Sequence, residues 1–274
     1  MSVAIGTPHE LFDLASRTHP GMVREANEDH CATFCDEQCA GLVVADGVSG
    51  LHGGGTASRM AVDVTLEAFH SEAPSVRPAK RLFQAVQRAN ITVHDRALRD
   101  PELRSMATTL TAALLVQNDL YVAHIGDCRL YLLRDGELSQ LTRDHTVSAE
   151  RVRLGILSKS KARNHPARST LTRGLGRELI ARIDQLSTRI IERDVLLVCS
   201  DGIHAVLDDA ELAHLCRGAS ADDICNDLIE AANRYGSPDN VSVAVARVQG
   251  KLPAVPPRWS LFQTIKRTFQ SRAD

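Results

Sequence analysis

The sequence predicts an α+β fold built on antiparallel strands, and three observations carry that reading. Short apolar runs are separated by hairpin-type turns, as at Gln117-Asn118-Asp119 and Arg134-Asp135-Gly136. Helical periodicity is gathered in two blocks, over about residues 54–98 and 202–234, rather than alternating strictly with the strands. The chain has 274 residues, of which 43% are hydrophobic and 24% charged, enough for one large core.

The bulk properties narrow the function classes. A formal charge of −2 lacks the basic excess of a nucleic-acid binder. Residues 1–13 carry no basic segment followed by an apolar one, so no signal peptide is read there. No apolar run approaches the about 20 residues that span a bilayer, and a cytoplasmic protein is the expectation. Seven scattered cysteines, an odd number, fit reduced thiols. Cys31, Cys35 and Cys39 recur four apart, but they flank a polar turn at Asp36-Glu37-Gln38 with no CxxC pair, so they read as core or surface thiols rather than a zinc site.

Taken in order, residues 11–34 form two strands around a loop, 18–27, that carries Arg24 and leads to Glu28 and Asp29. The next strand, 41–46, is an apolar run ending in Asp46-Gly47-Val48-Ser49-Gly50. That pattern reads as a buried strand whose last residue emerges at a rim, where the Asp46 carboxylate and the Gly47 carbonyl can face one hard cation. Taken alone, Asp46-Gly47 reads better as a turn that caps the helix starting near Gly54. In that helix Ala57, Met60, Ala61, Val64, Ala68 and Phe69 recur at helical spacing; in a second, Leu82, Val86, Ala89, Val93 and Leu98 do, with Pro78 as an early residue. Both stripes are core faces. Strands follow at 107–116, 119–125, 129–133 and 137–141, with Gly126-Asp127-Cys128-Arg129 between two of them. The polar segment 146–168, with Lys159, Lys161, Arg163, His165 and Arg168, reads as a mobile flap. Strands resume at 169–172, 181–186 and 195–200, the last ending in Asp201-Gly202 and so repeating the Asp46-Gly47 design. Short helices over 202–207, 210–215 and 221–234 precede Ser237-Pro238-Asp239-Asn240 and a final strand, 241–248.

Residues 1–248 are thus one domain, and 249–274 an appendage. Its segment 252–257 is a stiff Pro-containing linker. Beyond it, Trp259, Phe262, Ile265 and Phe269 share a helical face among Lys266, Arg267 and Arg272, a basic amphipathic tail suited to docking on its own domain, on a partner or on a membrane surface.

The recurrence of one design overturns the bland reading of Asp46. Glu28, Asp29, Asp46, Asp127, Asp201 and Asp239 each sit at a strand end or beside a turn, and Arg24 accompanies them. Oxygen ligands without His or Cys favour Mg²⁺ or Mn²⁺ over zinc. If most of these carboxylates converge, their repulsion calls for two or more divalent ions. Paired ions about 4 Å apart activate a bridging water and clamp a displacement at phosphorus, the chemistry of a phosphoester hydrolase. Arg24 suits the phosphate.

Motifs across about residues 10–248 resemble, in the family's order, the bacterial form of the metal-dependent protein serine/threonine phosphatases, type 2C. They are Arg24-x-x-Asn27-Glu28-Asp29, Ala45-Asp46-Gly47, Thr108-Thr109-Leu110, Gly126-Asp127-Cys128-Arg129, Leu141-Thr142-Arg143-Asp144-His145, Leu171-Thr172-Arg173-x-Leu175-Gly176, Ser200-Asp201-Gly202 and Asp239-Asn240-Val241-Ser242. The resemblance implies a four-layer α-β-β-α sandwich of two antiparallel sheets flanked by helices. It implies that Asp46 bridges two metals, that Asp201 and Asp239 complete one ion, and that Glu28 and the Gly47 carbonyl serve the other, partly through water. Asp29 would orient the attacking water, Arg24 would hold the phosphate, and Asp127 with Asp201 would bind a weaker third ion. Attack would be direct and in line, with no phosphoenzyme. The chain departs from the bacterial Asp-Gly-Met-Gly-Gly-His pattern: Val48 stands where eukaryotic members have a His proposed as general acid, and His52 lies one residue beyond the bacterial His. The expected substrates are phosphoproteins, with a cognate Ser/Thr kinase as counterpart and the chain acting as a monomer. A regulator of the anti-sigma antagonist kind is an alternative substrate, and a non-catalytic phosphoprotein-binding scaffold an alternative function.

Overall fold

The computed structural model describes residues 7–48, 53–71, 75–163, 165–250 and 252. Ten strands form two five-stranded antiparallel sheets. One has the order β1-β10-β9-β6-β7, from β1 (Phe12–His19), β6 (Arg129–Arg134), β7 (Glu137–Gln140), β9 (Val195–Cys199) and β10 (Val241–Val248). The other has the order β2-β3-β4-β5-β8, from β2 (Asp29–Cys35), β3 (Ala40–Asp46), β4 (Leu110–Val116), β5 (Asp119–Ile125) and β8 (Asp184–Arg189). The long helices α2 (Gly54–Ser71) and α3 (Pro78–Arg99) cover the second sheet. The helices α6 (Asp201–His204), α7 (Asp209–Leu215) and α8 (Ala221–Arg234) cover the first. A short α1 (Pro8–Leu11) precedes β1, and α4 (Val147–Arg153) and α5 (Lys159–Arg163) lie between β7 and β8. The result is the expected four-layer sandwich.

Three apolar slabs hold the layers. Leu42, Val44, Leu115, Leu130, Val198 and Ala246 fill the space between the sheets, where strands are buried on both faces and so read as continuous apolar runs. Val43, Ala61, Phe69, Val86 and Leu110 join the second sheet to α2 and α3; Leu197, Val243, Ile224 and Leu228 join the first sheet to α8. Local chemistry sets the boundaries. Pro78 occupies the first turn of α3, and Ser220 caps α8 with Asp223 closing a capping box. The buried Arg81 donates from Nη2 to the Phe69 carbonyl, 3.1 Å away, at the end of α2, and its guanidinium lies 4.3 Å over the Phe69 ring. Asp135 and Gly136 take positive φ, 51° and 84°, as a two-residue hairpin turn requires.

Some expected elements move. No strand forms over 169–172; Leu171 makes a single bridge to Thr146. The strand expected over 181–186 runs from Asp184 to Arg189 instead, because Gln87 of α3 donates to the Ala181 carbonyl and holds that stretch on the helix layer. The strand expected from 107 begins at Leu110, since Thr108 bridges both Gly47 and Leu175. The segment 146–168 contains α4, capped by Thr146, and α5, rather than irregular chain. Leu98 is 70% exposed at the end of α3 and leaves the core stripe. All seven cysteines are free, and Cys35 and Cys39 face opposite sides of their sheet, which removes a joint metal site. Of the appendage, Leu252 packs against the inter-sheet core, while the linker and the amphipathic tail beyond it lie outside the described residues, as does His52. No helix among the described residues is long and apolar enough to cross a membrane.

Candidate active site

Strand ends of both sheets bring the acidic residues together. Asp29 begins β2 and Asp46 ends β3, and the register sets them directly opposite each other, which places their Cβ atoms about 5 Å apart. Asp127 follows Gly126 in the turn between β5 and β6. Asp201 follows β9 and opens α6; Asp239 precedes β10, the neighbour of β9. The Asp46 and Asp201 carboxyl groups lie close enough for each to act on the other's charge. The Ser200 and Ser242 hydroxyls lie beside Asp29 and favour its charged form against the larger effect of burial.

Burial sets the electrostatics. Desolvation raises the pKa of Asp29, Asp46, Asp127 and Asp201 above the usual carboxylate range, and repulsion within the group raises them further. Asp46 carries the repulsion of Asp29, Asp201, Asp127 and Asp239 together. Asp29 Oδ2 and Asp201 Oδ1 are buried without a hydrogen-bond partner among the described residues. Orphaned, mutually repelling oxygens at one point are a site that positive charge completes, and an all-oxygen donor set suits Mg²⁺ or Mn²⁺. Among the described residues no three His, Cys, Asp or Glu side chains close on one point as a finished cage. Hard divalent cations that retain several waters need no such cage.

Glu28 and Gly47 meet at the start of α2. The Gly47 amide donates to the Glu28 carbonyl at 3.1 Å, and a Cβ on Gly47 would stand 2.4 Å from Gly54 backbone atoms, so only glycine fits. Glu28 Oε1 lies where a Cβ on Gly54 would come within 2.9 Å of it. Arg24 Nη2 is 2.8 Å from Asp239 Oδ2, with the Arg24 side chain 40% exposed at the rim. Its loop is tied to β10 by Asn240, whose Oδ1 accepts from the Glu28 amide at 2.8 Å and whose Nδ2 donates to the Pro20 and Ala26 carbonyls, each at 2.9 Å. Every residue expected at the site therefore lies in or beside this one cluster. Val48 offers no titratable group, and its amide donates to the Ala107 carbonyl.

Sequence reasoning gave no role to the residues that hold the carboxylates in place. Thr109 Oγ1 accepts from the Asp46 amide at 2.9 Å, and Thr108 Oγ1 donates to the Asp46 carbonyl at 2.7 Å. His145 accepts the Gly126 amide at Nδ1, 3.0 Å away, and its own amide donates back to the Gly126 carbonyl. With Nδ1 an acceptor, Nε2 carries the proton and faces Asp184 Oδ2 at 3.2 Å. His204 Nε2 donates to the Asp127 carbonyl at 3.0 Å. The signal in the sequence is polarity inside apolar strand ends: Thr108, Thr109, Ser200 and Ser242 are all within 1% of full burial.

Known proteins resemble this chain over most of its length. Residues 22–241 match the family model described as protein phosphatase 2C. The serine/threonine phosphatase Stp of Listeria innocua is 34% identical over 233 residues, covering 83% of this chain and 92% of the relative. The serine/threonine protein phosphatase PstP of Mycobacterium tuberculosis is 35% identical over 235 residues, 85% of this chain and 44% of the relative. The solved catalytic domain of PstP in complex with two manganese ions superposes with a TM-score of 0.77 at 32% identity, over 88% of this chain and 99% of that one. Stp1 of Staphylococcus aureus superposes with a TM-score of 0.84 at 26% identity, over 91% of this chain and 99% of that one. The chain belongs to the protein phosphatase 2C family and is a metal-dependent enzyme of the protein serine/threonine phosphatase class.

Proposed function

We propose that the acidic cluster is the phosphatase centre and that two Mn²⁺ or Mg²⁺ ions, with a weaker third, occupy it. The single observation that carries this is the convergence of buried Asp29 and Asp127 with half-buried Asp46 and Asp201, mutually repelling and with two oxygens unpartnered among the described residues. Asp46 would be shared by two ions, Asp201 and Asp239 would complete one, Glu28 and the Gly47 carbonyl the other, and Asp127 with Asp201 the third. Ions held there supply an activated water and neutralise charge at phosphorus.

The chain's own residues do the rest. Arg24 at the rim presents a guanidinium fork to the phosphate oxygens. Asp29, beside the Ser200 and Ser242 hydroxyls, accepts a hydrogen bond from the attacking water and aims it at phosphorus. Val48 holds no proton, so the leaving alkoxide takes its proton from water. The substrates are phosphoserine and phosphothreonine proteins, and a bacterial Ser/Thr kinase is the opposing activity. A reducing cytoplasm is the compartment in which seven free thiols persist. Residues 1–248 form the catalytic unit of a monomer, with 249–274 as its appendage.

The test is hydrolysis of p-nitrophenyl phosphate and of a phosphothreonine peptide with Mn²⁺, with Mg²⁺ and with chelator. Metal-dependent turnover of both, lost in Asp46→Asn, is the expected result. Near-native turnover by Asp46→Asn would refute the assignment.

A further inference from the structure

The charge on this molecule is segregated, and its basic part sits against the site. Residues 143–182 hold ten Lys/Arg against three Asp/Glu, a net +7 in a chain whose total is −2. Two of the three acids inside that stretch are already engaged. Asp144 is gripped by Arg129 at 2.7 Å, and Glu150 pairs with Arg153. Lys159, Lys161 and Arg168 are exposed and have no carboxylate within 4 Å among the described residues.

Two points of this segment are tied to chain that adjoins the acidic residues. At the base, the Thr172 amide donates to the His145 carbonyl at 2.8 Å, and His145 holds Gly126, next to Asp127. At the far side, Arg163 Nη2 donates to the Leu207 carbonyl at 3.1 Å, which seats α5 beside the helix that opens with Asp201. The Arg168 charge reaches Asp201 itself.

A cationic surface beside the centre steers and retains an acidic chain that flanks the seated phosphate. We infer that Lys159, Lys161 and Arg168 form a docking surface for acidic side chains flanking the phosphorylated residue, making phosphoproteins with Asp/Glu-rich phosphosites the favoured substrate class. This rests on the phosphatase reading and adds its specificity.

The experiment compares kcat/KM on phosphothreonine peptides flanked by Glu with the same peptides flanked by Lys, using the full chain and Lys159→Glu/Lys161→Glu. Wild type should favour the Glu-flanked peptide. The double variant should lose about tenfold on that peptide, the size expected when two exposed attractions become repulsions. Its turnover of p-nitrophenyl phosphate should stay unchanged, and rising salt should erase the wild-type preference. Equal rates on the two peptides, with aryl phosphate turnover intact, would overturn the inference and leave the phosphatase reading standing. Absence of metal-dependent aryl phosphate turnover would remove both. Lysine-dependent binding to phosphatidylglycerol vesicles without any peptide preference would reassign the surface to a membrane and also overturn it.

Discussion

Asn240→Ala tests whether the site is held by β10 as the hydrogen bonds indicate. Asn240 is 3% exposed and makes three side-chain bonds, to the Glu28 amide and to the Pro20 and Ala26 carbonyls. Each bond contributes about 1 kcal/mol net, and truncation leaves partly buried backbone groups unpaired, so the loss is about 2–3 kcal/mol. At a urea m-value of about 3 kcal/mol/M, that shifts the unfolding midpoint by about 0.7–1 M. Because the same three bonds tie the loop bearing Arg24 and Glu28, apparent Mn²⁺ affinity should weaken in calorimetric titration as well. Asn240→Asp keeps an acceptor for the Glu28 amide but turns oxygen toward two carbonyls, so at pH 7.5 it should cost at least as much as Ala. Asn240→Ala losing less than about 0.5 kcal/mol, with Mn²⁺ affinity unchanged, would refute the reasoning.

Further outcomes follow from the same geometry. Gly126 has φ +106°, and a Cβ there would stand 2.4 Å from the Thr109 Cβ, so Gly126→Ala should destabilise the fold by about 2 kcal/mol or more and displace Asp127, measured by urea unfolding and metal titration. Burial lowers His124 to about 4 and His204 to about 3. Their unfolded value is about 6.5, and a depressed histidine favours the fold above that value. This contribution should disappear as pH falls from about 6.5 toward about 4 for His124 and about 3 for His204, in unfolding free energies compared with His124→Gln and His204→Gln. Mn²⁺ at about 100 times its Kd should stabilise the wild type by about 2.7 kcal/mol in thermal melts, and Asp46→Asn should lose most of that gain.

The sequence alone determined most of the strand and helix order, apart from 146–172, and the acidic rim, because each depends on neighbours in the chain. Val241–Val248 and Ala221–Arg234 match their expected bounds, since an apolar run after a turn and a capped amphipathic stripe are local signals. Carboxylates at strand boundaries beside Gly or Asn marked Asp46, Asp127, Asp201 and Asp239 in the same way. Only the tertiary structure decided what lies across the chain from what. The displaced start of β8 follows from Gln87, 94 residues away, binding the Ala181 carbonyl. The roles of His145, His204 and Asn240 depend on backbone groups brought close by sheet register; Asn240 meets Glu28 from 212 residues away. Side-chain partners at such separations leave no periodicity in the sequence, because pairing geometry between strands, not spacing along one strand, creates them.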